Sequence, residues 1–292
     1  MIIVQLLGGL GNQLFQYAIG RRIAYENDTI LKLDLTGFQN YNIRKYKLGS
    51  LNIIENIATL EEIVLLKGSG DPCVFGKVKS LVKKFKPYYK QSIIKERFFQ
   101  FDPNMLLVKD NAYLRGYWQS EKYFKHIEDI IRQEFTLRAK PDKINSQLGS
   151  DIVSRNSVSI HVRRGDYASN SRINKIHGTC NLDYYFESIN KIAEVVEEPT
   201  FYVFSDDPPW VHKNLKIPYP TVFVTHNGPE KDYEDLRLMS LCKHHIIANS
   251  SFSWWGAWLC SNPDKMVFAP KKWFNTPDLD TRDLIPESWH RI

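Results

Sequence analysis

Val158-Ser-Ile-His-Val162, Thr200-Phe-Tyr-Val-Phe-Ser205, Thr221-Val-Phe-Val-Thr-His226, His245-Ile-Ile-Ala-Asn249 and Met266-Val-Phe-Ala-Pro270 are five short runs rich in β-branched and aromatic residues. Each has the length and composition of a strand. Between them lie helical patterns over residues 182–196, 208–215, 230–242 and 251–259. Such alternation predicts a parallel sheet with helices on both faces. Ligands of these sheets bind beyond the carboxyl ends of the strands, so the residues just after each strand are the candidates for function.

The first half opens the same way. An apolar run over residues 2–7 enters Gly8-Gly-Leu-Gly11, and Asn12 is placed to cap a helix carrying Leu14, Phe15, Tyr17 and Ala18. Further strands are expected over 30–35 and 112–118. Helices are expected over 59–67, with Glu61 and Glu62 in the first turn, and over 121–135, where Phe124, Ile127, Ile130, Ile131 and Phe135 fall near helical spacing. A length of 292 residues favours two domains. The boundary is expected near residues 138–155, dividing the chain into 1–145 and 146–292.

With 43% hydrophobic and 25% charged residues the composition is that of a globular protein. The net charge of +6 suits a phosphate-bearing ligand or an anionic surface, and no nucleic-acid partner is expected. Six lysines and no acid occupy the stretch that begins at Lys77 and ends at Lys90. It reads either as a solvated face or as peripheral contact with anionic lipid. Cys73, Cys180, Cys242 and Cys260 show no C-x-x-C spacing, so neither zinc nor a disulfide scaffold is expected. Residues 1–7 have no basic segment before them and read as a strand, not a signal peptide. No apolar run approaches the roughly 18 residues of a membrane helix. The expected location is the cytoplasm, or the inner face of a membrane as a peripheral protein.

Four segments carry candidate chemistry. Gly8-Gly-Leu-Gly11 lets backbone approach a ligand and points helix N–H groups at it, although a structural turn explains it equally. It is not the dinucleotide fingerprint, because Leu14 stands where the third glycine belongs. Asn12 and Gln13 add amides able to bond sugar hydroxyls or phosphate oxygens. In His161-Val-Arg-Arg-Gly-Asp-Tyr167 a planar guanidinium can grip a diphosphate, or pair with Asp166. Alternation puts His161 and Arg163 on one face and Val162 and Arg164 on the other, so one arginine can face ligand while the other braces the loop. Ser205-Asp-Asp207 could hold a metal or a ribose, but Pro208 and Pro209 make a helix cap the plainer reading. Further metal ligands at matched spacing are missing, so no metal is expected. Asn249-Ser-Ser-Phe-Ser253 opens a helix with small hydroxyl residues, a natural phosphate seat. Trp254, Trp255 and Trp258 read as packing, and Asp235, inside a helix, reads as solvent-facing.

Gly8-Gly-Leu-Gly-Asn-Gln13, His161-Val-Arg-Arg-Gly-Asp166 and Asn249-Ser-Ser-Phe-Ser-Trp-Trp255 stand in the order and at the separations of the bacterial α-1,2-fucosyltransferases, which this chain resembles. Phe15-Gln-Tyr-Ala18, Asp183-Tyr-Tyr185 and Trp254-Trp-Gly256 extend the likeness over nearly the whole chain, residues 40–110 excepted. The resemblance implies a GT-B-like α/β fold: two facing Rossmann-like domains with mostly parallel sheets, the acceptor held mainly by the first and GDP-fucose by the second. It implies inverting, metal-independent transfer of L-fucose from GDP-fucose to the 2-hydroxyl of a terminal galactose on a glycan such as an O-antigen repeat. No cofactor is implied beyond the donor substrate.

By the same resemblance, donor contacts come from Gly9, Gly11, Asn12, Gln13, His161, Arg163, Asp206, Asp235, Asn249, Ser250, Ser251, Phe252 and Ser253. Arg163 is expected on the β-phosphate, Asp235 on the guanine N1–H and exocyclic amine, and Ser251, Phe252 and Ser253 around the phosphates. The catalytic candidates are Arg163, Asp166 and His177. Asp166 is the first choice as general base, with His177 and Asp183 behind it. The acid that serves α-1,6 enzymes shortly after this motif has no counterpart here, where Ser171 and Arg172 stand. Two other readings stay open: a transferase of another GDP-sugar, and a catalytically silent protein that binds GDP-sugar or glycan.

Overall fold

The computed structural model describes residues 1–39, 44–68, 87–276 and 279–292. Of the stretches singled out above, Cys73 and residues 77–86 lie outside the described residues. The chain forms two compact units, Met1–Thr136 with Arg282–Leu284, and Leu137–Thr281 with Ile285–Ile292. The division falls at 136–137, before the expected 145–146, because residues Lys143–Ser154 form a helix that belongs to the second unit. Asp142 caps it through the Asn145 N–H, and it packs on the helix Asp232–Leu241 of the second unit.

In the first unit, strands β1 (Ile2–Gln5), β2 (Leu31–Asp34), β3 (Ile93–Lys95) and β4 (Ala112–Arg115) form a parallel sheet in the order β2-β1-β4-β3. Helix α1 (Leu10–Glu26) follows β1 and buries Leu14, Phe15, Tyr17, Ala18, Ile19 and Ile23. Gly20 permits the close approach, since a Cβ there would lie 2.8 Å from Leu31 and 3.2 Å from Val4. Gly9, not Asn12, is the N-cap of α1, which places Asn12 inside the first turn. Helix α2 (Leu60–Lys67) starts at a capping box: Thr59 Oγ1 accepts the Glu62 N–H and Glu62 Oε2 accepts the Thr59 N–H. The segment expected as one helix over 121–135 is α-helical only in α3 (Glu128–Glu134). Two short 3₁₀ turns precede it and bury Tyr123, Phe124 and Ile127.

The second unit starts with the helix at Lys143–Ser154, α4. Strands β5 (Ser157–Val162), β6 (Thr200–Ser205), β7 (Thr221–Val224), β8 (His244–Ile246), β9 (Val267–Ala269) and β10 (His290–Arg291) form a parallel sheet ordered β10-β9-β8-β5-β6-β7. Helices α5 (Gly165–Ser169), α6 (Ser171–His177), α7 (Leu182–Ala193), α8 (Pro208–Asn214), α9 (Asp232–Leu241) and α10 (Ser251–Leu259) connect the strands. From β5 the chain builds outward through β6 and β7, then returns to add β8, β9 and β10 on the other side. The topological switch therefore lies between β5 and β8, where such sheets bind ligands.

The core of this unit is Val158, Ile160, Val162, Ile189, Ile192, Phe201, Val203 and Ile246, all fully or nearly fully buried. Trp254, Trp255 and Trp258 are buried and pack on one another, with Trp289 5.4 Å from Trp254. They are core residues, as read from the sequence. Lys265 Nζ donates to the carbonyls of Ala257, Trp258 and Cys260 and so closes the carboxyl end of α10. Cys180, Cys242 and Cys260 are free thiols. Among the described residues no helix is long and apolar enough to cross a membrane.

Candidate active site

Strand β5 ends at Val162 and turns at once into the loop that carries both arginines. Asp206, at the end of neighbouring β6, organises that loop. Its Oδ1 accepts the N–H groups of Arg164 (2.8 Å) and Gly165 (3.1 Å), and its Oδ2 lies 2.7 Å from Arg163 Nη1. The approach is possible because residue 165 lacks a Cβ, which would sit 2.4 Å from Asp206 Oδ2. Asp206, expected among the donor contacts, thus braces this loop. The helix cap belongs to Asp207, whose Oδ1 accepts the Trp210 N–H.

The two arginines pair with different carboxylates. Arg164 lies with its guanidinium 3.8 Å from the Trp210 ring centroid and 3.3 Å from Asp207 Oδ2, so it braces the loop. Arg163 is held between Asp166 (2.5 Å) and Asp206, one-fifth exposed, over the ring of Tyr167 at 5.1 Å. Two carboxylates fix the plane of this guanidinium while leaving it at the sheet's edge.

His161 is buried, its ring 5.6 Å from that of Phe252 at the start of α10. Burial pulls its pKa down to about 4, with Asp206 acting against that and Arg163 adding to it, so the ring is neutral at pH 7. His177, at the end of α6, stacks on Tyr167 at 4.6 Å and leans on Phe274 at 5.4 Å. Burial lowers its pKa also, Asp166 raising and Arg163 lowering it. Its Nδ1 is buried without a hydrogen-bond partner. Asn249 is buried and donates to the carbonyls of His177 (2.9 Å), Gly178 (3.3 Å) and Trp273 (3.1 Å). It staples the His177 turn to the end of β8 rather than offering its amide to a ligand.

At the tip of α10, Ser250 is the N-cap, its Oγ accepting the Phe252 N–H. The Ser253 hydroxyl turns inward to the carbonyls of Ala248 and Ser250. Ser251 and Phe252, half-buried, are the residues presented at the tip. Arg163, Asp166, His177, His161 and this tip therefore gather around the ends of β5 and β8. Tyr167, which packs on both Arg163 and His177, was missed in the sequence, where a lone tyrosine after Asp166 gives no signal.

Asp235 stands apart, in the first turn of α9. It is not solvent-facing: burial raises its pKa to about 7, the Asn227 amide at 2.9 Å opposing and Asp232 and Glu234 adding. Asn227 and Asn145 exchange amide hydrogen bonds, and Asn145 Oδ1 also meets His226 Nε2 at 2.9 Å. Sequence reasoning missed this polar cluster because its members come from three separate elements.

In the first unit, Gly8 adopts φ +78°, and a Cβ on it would meet Asn12 Nδ2 at 2.7 Å. Gly9 caps α1 and Gly11 lies buried within it. Asn12 Oδ1 accepts the Gln119 amide at 2.8 Å. Gln13 is fully buried: Nε2 donates to the carbonyls of Gly8 and Lys45, and Oε1 accepts the Lys47 N–H. It pins the turn, its amide committed to these three backbone groups. Among the described residues no three His, Cys, Asp or Glu side chains come together to hold a metal ion.

Among solved structures, the chain resembles the fucosyltransferase NodZ from Bradyrhizobium (TM-score 0.53, 15% identity, covering 91% of this chain and 94% of that one). It also resembles Arabidopsis thaliana FUT1 in complex with GDP (TM-score 0.53, 12% identity, covering 92% and 70%). Parallel α/β units with this likeness have a GT-B-like fold. The chain belongs to glycosyl transferase family 11, whose model matches residues 1–292. It is 37% identical over 303 aligned positions to an Escherichia coli alpha-1,2-colitosyltransferase, spanning all of this chain and 99% of the relative. The Escherichia coli O-antigen biosynthesis glycosyltransferase WbnK is 34% identical, over 92% of this chain and 93% of its own. A galactoside alpha-(1,2)-fucosyltransferase 1 from Saimiri sciureus matches half of this chain at 29% identity, over 42% of its own length.

Proposed function

We propose that this glycosyltransferase is an inverting, metal-independent α-1,2-fucosyltransferase that moves L-fucose from GDP-fucose to the 2-hydroxyl of a terminal galactose on a bacterial surface glycan, working in the cytoplasm. The observation that carries the reading is Arg163, held by Asp166 and Asp206 in the loop after β5, the strand whose His161 ring lies 5.6 Å from that of Phe252 at the start of α10. An acceptor hydroxyl attacks C1 of the β-linked fucose, the bond from C1 to the β-phosphate oxygen breaks, and GDP leaves from the opposite face. Negative charge grows on the departing diphosphate. A fixed guanidinium and a helix tip are suited to stabilise it without reorganisation. Asp235 and Asn227 offer a carboxyl and an amide to the guanine edge.

The hydroxyl proton needs an acceptor. Asp166 spends an oxygen on Arg163, so the role passes to His177, which burial favours as the neutral base.

A second reading is favoured by the colitosyltransferase that is 37% identical over its whole length. Colitose differs from fucose by the missing 3-hydroxyl, so both sugars suit the same nucleotide contacts. The test is incubation of the purified protein with GDP-fucose, GDP-colitose and GDP-mannose against a panel of β-galactosides, with the product linkage read by NMR. Transfer from GDP-fucose to O2 of galactose is expected. Transfer from GDP-colitose alone selects the second reading, and GDP binding with no turnover to any acceptor overturns both.

A further inference from the structure

Two asparagines tie three elements of the second unit together, and the way their amides are spent decides what the cluster can still bind. Asn145 lies buried in the first turn of α4, Asn227 stands half-buried in the loop after β7, and Asp235 is in the first turn of α9. All three belong to the stretch Leu137–Thr281. Asp142 Oδ1 accepts the Asn145 side-chain amide at 3.0 Å, and a carboxylate oxygen only accepts, so the Asn145 nitrogen is the atom that faces it. The second N–H of that nitrogen goes to Asn227 Oδ1 at 3.0 Å, and Asn145 Oδ1 takes an N–H back from Asn227 at 2.9 Å. His226 Nε2 lies 2.9 Å from the same oxygen. The Asn227 nitrogen gives its other N–H to Asp235 Oδ1 at 2.9 Å.

Both side-chain N–H groups of each asparagine are thereby spent inside the cluster. What Asn227 and Asp235 keep for a ligand is acceptors: the second lone pair of Asn227 Oδ1 and the rest of the Asp235 carboxylate. Such a pair matches a base edge that carries adjacent donors, as guanine does with N1–H and its 2-amino group. Adenine, whose N1 is itself an acceptor, leaves it unpaired. The Asn227 amide is also the contact that opposes burial, Asp232 and Glu234 at the Asp235 carboxyl. Glu234 is paired with Arg237, Asp142 with Lys231, and α10, which packs on α9, carries no charged residue.

We propose that Asn145 is a positioning residue for base selection: by holding the Asn227 amide in one orientation it leaves Asn227 and Asp235 a purely accepting pair, which takes guanine and rejects adenine. The inference rests on the GDP-sugar reading above and adds to it how the nucleotide is chosen.

The test is calorimetric titration of the full chain with GDP, inosine diphosphate and ADP from about pH 6 to about pH 8. The ribosyl diphosphate is common to all three, so their affinity ratios report the base alone. The unaltered protein is expected to prefer GDP to ADP by about a hundredfold or more, with inosine diphosphate, which keeps N1–H and lacks the 2-amino group, between them. Asn145→Leu frees the Asn227 amide to turn, and the preference falls about tenfold. Asn227→Ala weakens the same preference and also moves the pH midpoint of GDP binding upward, because the donor opposing burial at Asp235 is gone. An asparagine with a merely structural role would lower the melting temperature and leave the ratio and the midpoint where they were. A GDP-to-ADP ratio within about twofold of normal in Asn145→Leu overturns the proposal. Where that variant does not fold, an unmoved ratio and midpoint in Asn227→Ala overturn it alone. An unaltered protein that binds GDP and ADP equally overturns the GDP-sugar reading itself, and the proposal falls with it.

Discussion

Arg163 meets two carboxylates before it meets any ligand, and that fixes what its replacement should do. Arg163→Ala is expected to lower kcat about 10²- to 10³-fold, the scale of losing one preorganised donor. Arg163→Lys recovers little, because one ammonium cannot span Asp166, Asp206 and an anion together. Steady-state kinetics with GDP-fucose check both. Asp235 carries a pH prediction. With its pKa near 7, a guanine that needs the carboxylate should bind about tenfold more tightly at pH 8 than at pH 6, with proton release seen by calorimetry in two buffers. In the unliganded protein the sign reverses. The folded state keeps a proton that the unfolded chain gives up, so this contribution to stability is full below about pH 4 and is lost as pH rises through about 7. Asp235→Asn removes both slopes. The sequence announced Arg163, because two arginines at a strand end are costly without an anion. It could not announce the role of Asp206, whose partners are set by the pairing of β5 with β6.

Elements were legible where burial imposed a pattern. β6 and α10 fall where apolar periodicity put them, because every turn of each faces the core. α5 and α6 gave no signal, being five and seven residues long without a buried residue. β3 and β10 are three and two residues long and borrow their conformation from a neighbouring strand. At this scale the tightest joint is that between β6 and the loop after β5. Gly165→Ala is expected to force Asp206 off its three contacts in that loop, costing about 1–3 kcal/mol of stability as an overpacked site does. Because Arg163 loses its brace as well, kcat/KM should fall more steeply than the melting temperature, which denaturation and kinetics on one preparation compare.

The chain passes between its two units more than once, since Arg282–Leu284 belongs to the first and Ile285–Ile292 to the second. Pattern alone could not see this, because a two-residue strand has no periodicity. The consequence is that residues 137–281 do not contain the whole second sheet. β10 covers the edge of β9, with Lys271 N–H donating to the Ile292 carbonyl and Ile292 N–H to the Ala269 carbonyl. Trp289 packs on Trp254. Deleting residues 285–292 should cost about 3–5 kcal/mol for the lost tryptophan packing alone and leave β9 as an open edge prone to association. Denaturant unfolding and light scattering of the truncated protein against the full chain measure the two effects.

The Asn249 amide, spent on the carbonyls of His177, Gly178 and Trp273, has a practical corollary for anyone wishing to recode this enzyme. The 249–253 segment cannot be swapped as a cassette to accept a different leaving nucleotide, because the turn bearing the imidazole would drift with it. A graft that works must import the 177–178 turn and the backbone around Trp273 in the same step.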